Sequence, residues 1–111
     1  DINDYDIHVN VIGGGKIDGP SAGAAITICI ISALTERPIR QDVAITGEIS
    51  LRGNIKPVGG IFEKIYGARR KGIKLVAIPK DNEKEVPLGL EDIEVKSISH
   101  IEELMEIVFE K

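Results

Sequence analysis

Apolar and polar residues follow two different periods along this chain, and the two periods predict strands alternating with helices. Residues 5–12 alternate between apolar and polar types, which predicts a strand. Residues 13–19 are rich in glycine and predict a loop. Residues 20–35 are apolar on nearly all sides, which predicts a helix that is buried over most of its surface.

The same alternation continues to the end of the chain. Short apolar runs bounded by glycine, proline or asparagine predict strands, and apolar residues spaced three and four apart predict helices. We predict strands at 42–46, at 49–55 with a turn at 52–54, at 74–78 and at 92–96, helices at 61–71 and 101–109, and one helical turn at 81–85. This order of elements is typical of an α/β sandwich.

Composition excludes some classes of protein but does not indicate a function. The 111 residues fit one domain or part of one, and the net charge of −4 does not favour nucleic acid as a partner. The apolar helix is interrupted by Thr27 and Ser32 and is too short to span a membrane. Cys29, the single cysteine, is expected in the core, and His8 and His100 lack partners at metal-ligand spacing.

The glycine-rich loop does not fit a nucleotide-binding motif. A P-loop would need glycine where Asn10 stands and a hydroxyl residue after Lys16, where the chain has Ile17. A dinucleotide-binding loop that started at Gly13 would need glycine in place of Asp18. We therefore expect no nucleotide and no metal ion at this loop.

A serine and a lysine stand where their chemistry can be used. Pro20 suits the first helical position and makes Gly19 the cap, which leaves the Ser21 hydroxyl free. Lys64 lies about 60° from Ile61 around its helix, at the edge of the apolar stripe, and a serine with a lysine base is a known nucleophilic pair. A capping serine and a lysine whose stem packs while its amine reaches water are the alternatives. The chemistry of these residues alone leaves both interpretations open.

Four short motifs in order carry a resemblance to a known family. They are DGPSAG at 18–23, TGEI at 46–49, PVGG at 57–60 and EK at 63–64. Together they resemble the C-terminal proteolytic domain of Lon, the ATP-dependent serine protease, in its bacterial form. The resemblance covers nearly the whole chain, and the lysine follows the serine by 43 positions, as the family pattern requires.

The resemblance implies a fold and a role for each residue of the site. The fold is α/β (α+β), like domain 2 of ribosomal protein S5, with a mixed sheet packed against helices. Ser21 is implied as the nucleophile and Lys64 as the general base. Thr46 is implied to help place the lysine amine, while Asp18 and Gly19 belong to the loop before the serine.

The resemblance also implies a wider context. Residues 1–111 would form most of the proteolytic domain of a cytoplasmic endopeptidase that acts on polypeptides, with the start of the domain and an AAA+ ATPase module elsewhere in a longer protein. ATP and magnesium would serve that module, and this chain would carry no cofactor, no nucleic-acid site and no membrane segment. The assembly would be a homo-hexamer.

Two rival functions stay open at this point. One is a non-catalytic Lon-like module that assembles an ATPase, although such modules tend to lack the serine that this chain has at position 21. The other is a small-molecule kinase of related architecture, which would need paired serines in its glycine-rich loop.

Overall fold

The computed structural model describes residues 10–11, for their backbone only, and residues 23–110. The strands are β1 (Asn10–Val11), β2 (Val43–Ile45), β3 (Glu48–Ile49), β4 (Ile55–Lys56), β5 (Leu75–Pro79) and β6 (Glu94–Ile98). The helices are α1 (Gly23–Thr35), α2 (Ile61–Arg70) and α3 (Ile101–Val108), with a 3₁₀ turn at Lys80–Glu85. The predicted order of elements is confirmed wherever the structure describes the chain.

Four strands form a parallel sheet in the order β1-β2-β5-β6. Val11, Ile45, Ala77 and Lys96 lie side by side in one row across it. β3 and β4 form a separate antiparallel pair, so the predicted strand 49–55 is two short strands joined by the predicted turn. The α/β class with helices packed on sheet is therefore confirmed, and both pairing directions occur.

The parallel sheet lies between two helical layers. β5 is buried along its whole length, with Leu75 and Ala77 in the core cluster that contains α1 and α3 residues. Val76 and Ile78 point the other way, into the cluster that contains the apolar residues of α2. A strand buried on both faces explains why this segment is continuously apolar rather than alternating.

The expectation that α1 is buried on most sides is wrong. Ala24, Ala25 and Ile28 are buried, but Leu34 is 69% exposed, and Ile26 and Ile30 are each 37% exposed. The helix packs one face on the sheet, and periodicity cannot identify that face when nearly every position is apolar. Among residues 10–11 and 23–110, no helix combines the length and the apolar character needed to cross a bilayer.

α3 begins with a capping box built on His100. Its Nδ1 accepts a hydrogen bond from the Glu102 N–H at 3.2 Å, and its Nε2 lies 2.9 Å from the Arg52 carbonyl in the β3–β4 turn. Glu103 Oε1 accepts from the Ser99 hydroxyl at 2.6 Å and from the N–H groups of Ser99 and His100. His100 therefore joins the last helix to the hairpin.

The capping carboxylate predicts a pH dependence of stability. Hydrogen bonds from Ser99, its hydroxyl first, hold the pKa of Glu103 below its usual range. The folded state thus binds fewer protons, so the stabilisation is complete above the unfolded pKa and is lost as the pH falls through the folded pKa. We expect Glu103→Gln to lose less unfolding free energy than the native protein between about pH 6 and about pH 3.

Urea denaturation followed by circular dichroism at both pH values measures this difference. Glu106→Gln, an exposed change on the same helix, is the matched control and should keep the native pH dependence. Equal pH dependence in Glu103→Gln and the native protein would contradict the assignment.

Candidate active site

The carboxyl ends of the central parallel strands meet at one edge of the sheet. Val11, Ile45 and Ala77 share a row near this edge, and Thr46 follows directly after β2. In open α/β sheets, ligands bind outside the carboxyl ends of the strands. Three of the predicted site residues, Asp18, Gly19 and Ser21, fall between β1 and α1 and lie outside the described residues.

The start of α1 is attached to the chain segment that follows β2. The Ala24 N–H donates to the Gly47 carbonyl at 2.9 Å. A Cβ on Gly23 would lie only 3.2 Å from the Ile49 backbone nitrogen, so glycine permits this close approach. Ser21 precedes Ala24 by three residues in the sequence.

Thr46 is the unusual residue at this edge. Its side chain is fully buried, and its N–H donates to the Ala77 carbonyl at 3.1 Å. Its hydroxyl has no hydrogen-bond partner within the part of the chain that the structure describes. A buried polar group without a partner costs about 1–3 kcal/mol, and such groups in native proteins call for a specific explanation.

Gly47 follows Thr46 in a conformation that only glycine adopts readily. Its φ is +145°, and a Cβ at this position would lie 2.9 Å from Ile55 Cγ2. The chain can therefore turn after Thr46, close to Ile55, and continue directly into β3.

Lys64 lies in the first turn of α2. Ile61, Ile65 and Ala68 form the buried stripe of the helix, as predicted, and Lys64 is half-buried beside it. The other basic residues of α2 and its cap, Arg69, Arg70 and Lys71, are exposed. Lys64 is therefore the most buried basic residue of this helix, as the helical geometry predicted.

The stem of Lys64 folds back toward the start of its helix. The Cβ position that Gly60 lacks lies 3.8 Å from Lys64 Cε, and the Lys64 N–H donates to the Gly60 carbonyl at 3.0 Å. Gly60, the N-cap, has left-handed dihedral angles of 72° and 28°. The Lys64 stem therefore lies beside the Gly60 cap at the start of α2. No hydrogen bond joins the Lys64 amine to the Thr46 hydroxyl in this structure.

Asn82, in the 3₁₀ turn after β5, is a buried polar residue that the sequence reasoning did not single out. Its amide bonds the backbone of Val58, just before α2, and so ties the entrance of that helix to the same edge. The available sequence signal was an asparagine shortly after an apolar strand that ends in proline. Its charged, exposed neighbours made the whole turn resemble a solvent-exposed segment, so the burial of Asn82 was not predicted.

The remaining candidate residues are not part of this edge. Cys29 is half-buried in α1 and burial raises its pKa, as expected for core packing. Within residues 10–11 and 23–110, no group of three or more histidine, cysteine or acidic side chains is placed to hold a metal ion.

An open cavity of about 610 Å³ lies on the outer face of α2, and Lys64 does not line it. Its lining residues are Phe62, Glu63, Tyr66, Arg69, Arg70 and Asp92.

Comparison with known proteins gives a consistent result. The family described as the Lon protease (S16) C-terminal proteolytic domain matches residues 1–111. The chain is 49% identical over 109 residues to Lon protease 2 of Herpetosiphon aurantiacus, with 94% of this chain and 13% of that protein covered. It is 44% identical over 104 residues to Lon protease 2 of Bacillus subtilis, with 94% of this chain and 19% of that protein covered.

A third relative, Lon protease of Desulfatibacillum aliphaticivorans, is 44% identical over 109 residues, covering 94% of this chain and 13% of that protein. This α/β chain, with a buried hydroxyl at the carboxyl edge of its sheet, belongs to the family of Lon C-terminal proteolytic domains. It spans between about an eighth and a fifth of the length of these relatives.

Proposed function

We propose that this domain hydrolyses peptide bonds as a serine endopeptidase, with Ser21 as nucleophile and Lys64 as general base. The observation that carries the proposal is the fully buried Thr46 hydroxyl, which has no hydrogen-bond partner among the described residues and lies at the edge where α1 and α2 both begin. The relatives are named proteases, and their likeness supports the same chemistry here.

In the proposed mechanism the unprotonated amine of Lys64 takes the proton from the Ser21 hydroxyl. The serine oxygen then bonds to the scissile carbonyl carbon, and backbone N–H groups of the loop stabilise the oxyanion. Lys64 returns the proton to the leaving amine as the peptide bond breaks, and water hydrolyses the acyl-enzyme. Thr46 offers its hydroxyl to the amine, while Asp18 and Gly19 shape the loop.

We extend the proposal to the whole protein as the resemblance implies. Polypeptides, unfolded or regulatory, are the substrates, and an AAA+ module of the same protein uses ATP and magnesium to deliver them. The assembly is a cytoplasmic homo-hexamer. This domain itself needs no cofactor, metal ion or nucleic acid.

Covalent labelling of the serine tests the proposal. A peptidyl phosphonate probe is expected to label the intact protein, and peptide mapping should place the label on residue 21. Ser21→Ala should remove both the label and peptide hydrolysis. Ser32→Ala is the matched control, because its hydroxyl donates to the Arg37 carbonyl at 2.6 Å near the other end of the same helix.

Hydrolysis that survives in Ser21→Ala would contradict the proposed nucleophile. An intact protein that is folded and hexameric but takes no label, and hydrolyses no peptide, would favour the rival function of a non-catalytic assembly module. A thermal shift on adding ATP to the domain alone would favour the kinase rival.

A further inference from the structure

One buried side chain holds the entrance of α2. Asn82 is 3% exposed, and its Oδ1 accepts from the Val58 N–H at 3.0 Å while its Nδ2 donates to the Val58 carbonyl at 2.8 Å. Because the Val58 N–H can only donate, the orientation of the amide is unambiguous. Nδ2 also donates to Glu85 Oε2 at 2.5 Å, so the side chain uses both of its N–H donors.

The segment that Asn82 holds has little to order it otherwise. Gly59 and Gly60 follow Val58, and glycine loses more conformational freedom on ordering than any other residue. Gly60 is the N-cap of α2 and provides no side-chain capping bond. Its carbonyl nevertheless accepts the first hydrogen bond of the helix, from the Lys64 N–H. The position of the Lys64 turn therefore depends on where Val58 is held.

Strand β5, which leads into the turn that contains Asn82, also holds Thr46. The Thr46 N–H donates to the Ala77 carbonyl of β5, and Asn82 follows the end of β5 by three residues. β5 and the 3₁₀ turn that follows it thus connect the buried Thr46 hydroxyl to the entrance of α2. The backbone of β5 sets the spacing between Thr46 and the turn that carries Lys64.

Loss of the Asn82 amide is expected to move this entrance rather than to unfold α2. Ile61 and Ile65 are fully buried against the sheet and hold the body of the helix. Val58 also packs against the same core cluster, and we expect this packing to persist without the amide. The first turn would then be held by packing alone, which is less directional than two hydrogen bonds.

We propose that Asn82 is a positioning residue for the Lys64 amine, acting through Val58 and the Gly60 cap. The inference rests on the proposed function of Lys64 as general base. Asn82 contacts neither the substrate nor the nucleophile in this role. Its effect should therefore fall on the chemical step and not on substrate binding.

The test compares Asn82→Ala with Asp81→Ala, its exposed neighbour in the same turn, in the intact protein. Active sites are counted by phosphonate labelling, so that kcat refers to folded, competent molecules only. We expect kcat to fall about ten- to a hundredfold in Asn82→Ala, with KM changed by less than about twofold, because a small misplacement of a catalytic group is costly. Asp81→Ala should retain native values.

Amide hydrogen exchange gives a readout that does not depend on activity. Amide exchange of residues 58–64 should become at least about tenfold faster in Asn82→Ala, while exchange of α3 stays native. Asn82→Ser is the second variant, because a small hydroxyl keeps a polar group at this position without placing a charge against the Val58 carbonyl and the Glu85 carboxylate. We expect it to lie between Asn82→Ala and the native protein, and it serves as the test if the alanine variant does not fold.

The outcomes separate the inference from the proposed function. Native kcat per active site in both Asn82 variants, with activity that still requires Ser21 and Lys64, would overturn the inference alone. A kcat loss accompanied by an equal rise in KM would also overturn it, because Asn82 would then affect substrate binding. Activity that survives in Ser21→Ala would overturn the proposed function and the inference with it.

Discussion

Lys64→Ala is expected to abolish peptide hydrolysis while the protein stays folded. Removing the general base leaves the serine hydroxyl without a group to take its proton, which costs at least about 10³-fold in kcat in enzymes of this kind. The fold should survive, because Lys64 is only half-buried and α2 is held by Ile61 and Ile65. Initial rates on a fluorogenic peptide, with circular dichroism of the same sample, measure both effects.

Two further variants make the Lys64 experiment specific. Lys64→Arg keeps the positive charge and the length, yet should be as inactive as the alanine variant, because a guanidinium does not give up its proton in proteins. Lys71→Ala removes an exposed lysine at the other end of the helix and should leave the rate unchanged. An arginine variant with near-native activity would show that position 64 supplies charge and not a base.

Thr46→Val is expected to make the protein more stable and less active. The hydroxyl is fully buried and has no partner among residues 10–11 and 23–110, so its replacement by a methyl group of similar size should raise the unfolding free energy by about 1–2 kcal/mol. The same change removes the group that is proposed to bond the Lys64 amine, and kcat should fall by about ten- to a hundredfold. Urea denaturation and peptide hydrolysis measure the two effects on one sample.

Thr46→Ser keeps the hydroxyl and loses only a methyl group. It should be less stable than the native protein, because a small cavity replaces the methyl, yet it should keep much of the activity. A purely structural role for Thr46 predicts the reverse order, with stability and activity falling together in the valine variant. A valine variant that is both stabilised and fully active would contradict any catalytic role of the hydroxyl.

A valine variant that is more stable and less active would show that the Thr46 hydroxyl serves function and lowers the free energy of unfolding. Natural proteins tolerate such groups at active sites, where the chemistry needs a polar atom that folding does not reward. A non-catalytic assembly module would gain nothing from an unpartnered buried hydroxyl at this edge. The Thr46 pair of variants therefore discriminates between the proposed function and its main rival.

Local patterns were sufficient to predict most elements of the fold. The short apolar run of β5, which ends at a proline, predicted a strand, and the three-and-four spacing of Ile61, Ile65 and Ala68 predicted a helix; both were confirmed. The partial burial of Lys64 followed from the same spacing. Four motifs in order identified the family, which the comparison with known proteins confirmed. The catalytic roles of Ser21, Lys64 and Thr46 stay predictions.

The order of the elements, the buried face of α2 and the family can therefore all be read from local sequence patterns. The buried face of α1 depends on packing against the sheet, because a helix that is apolar on all sides carries no periodic signal. Packing also explains why Thr46 is buried with no partner in the described part of the chain, and why Asn82 holds Val58, 24 positions away in the sequence. Burial and hydrogen bonding between distant segments depend on how elements pack against one another, and no local period encodes that packing.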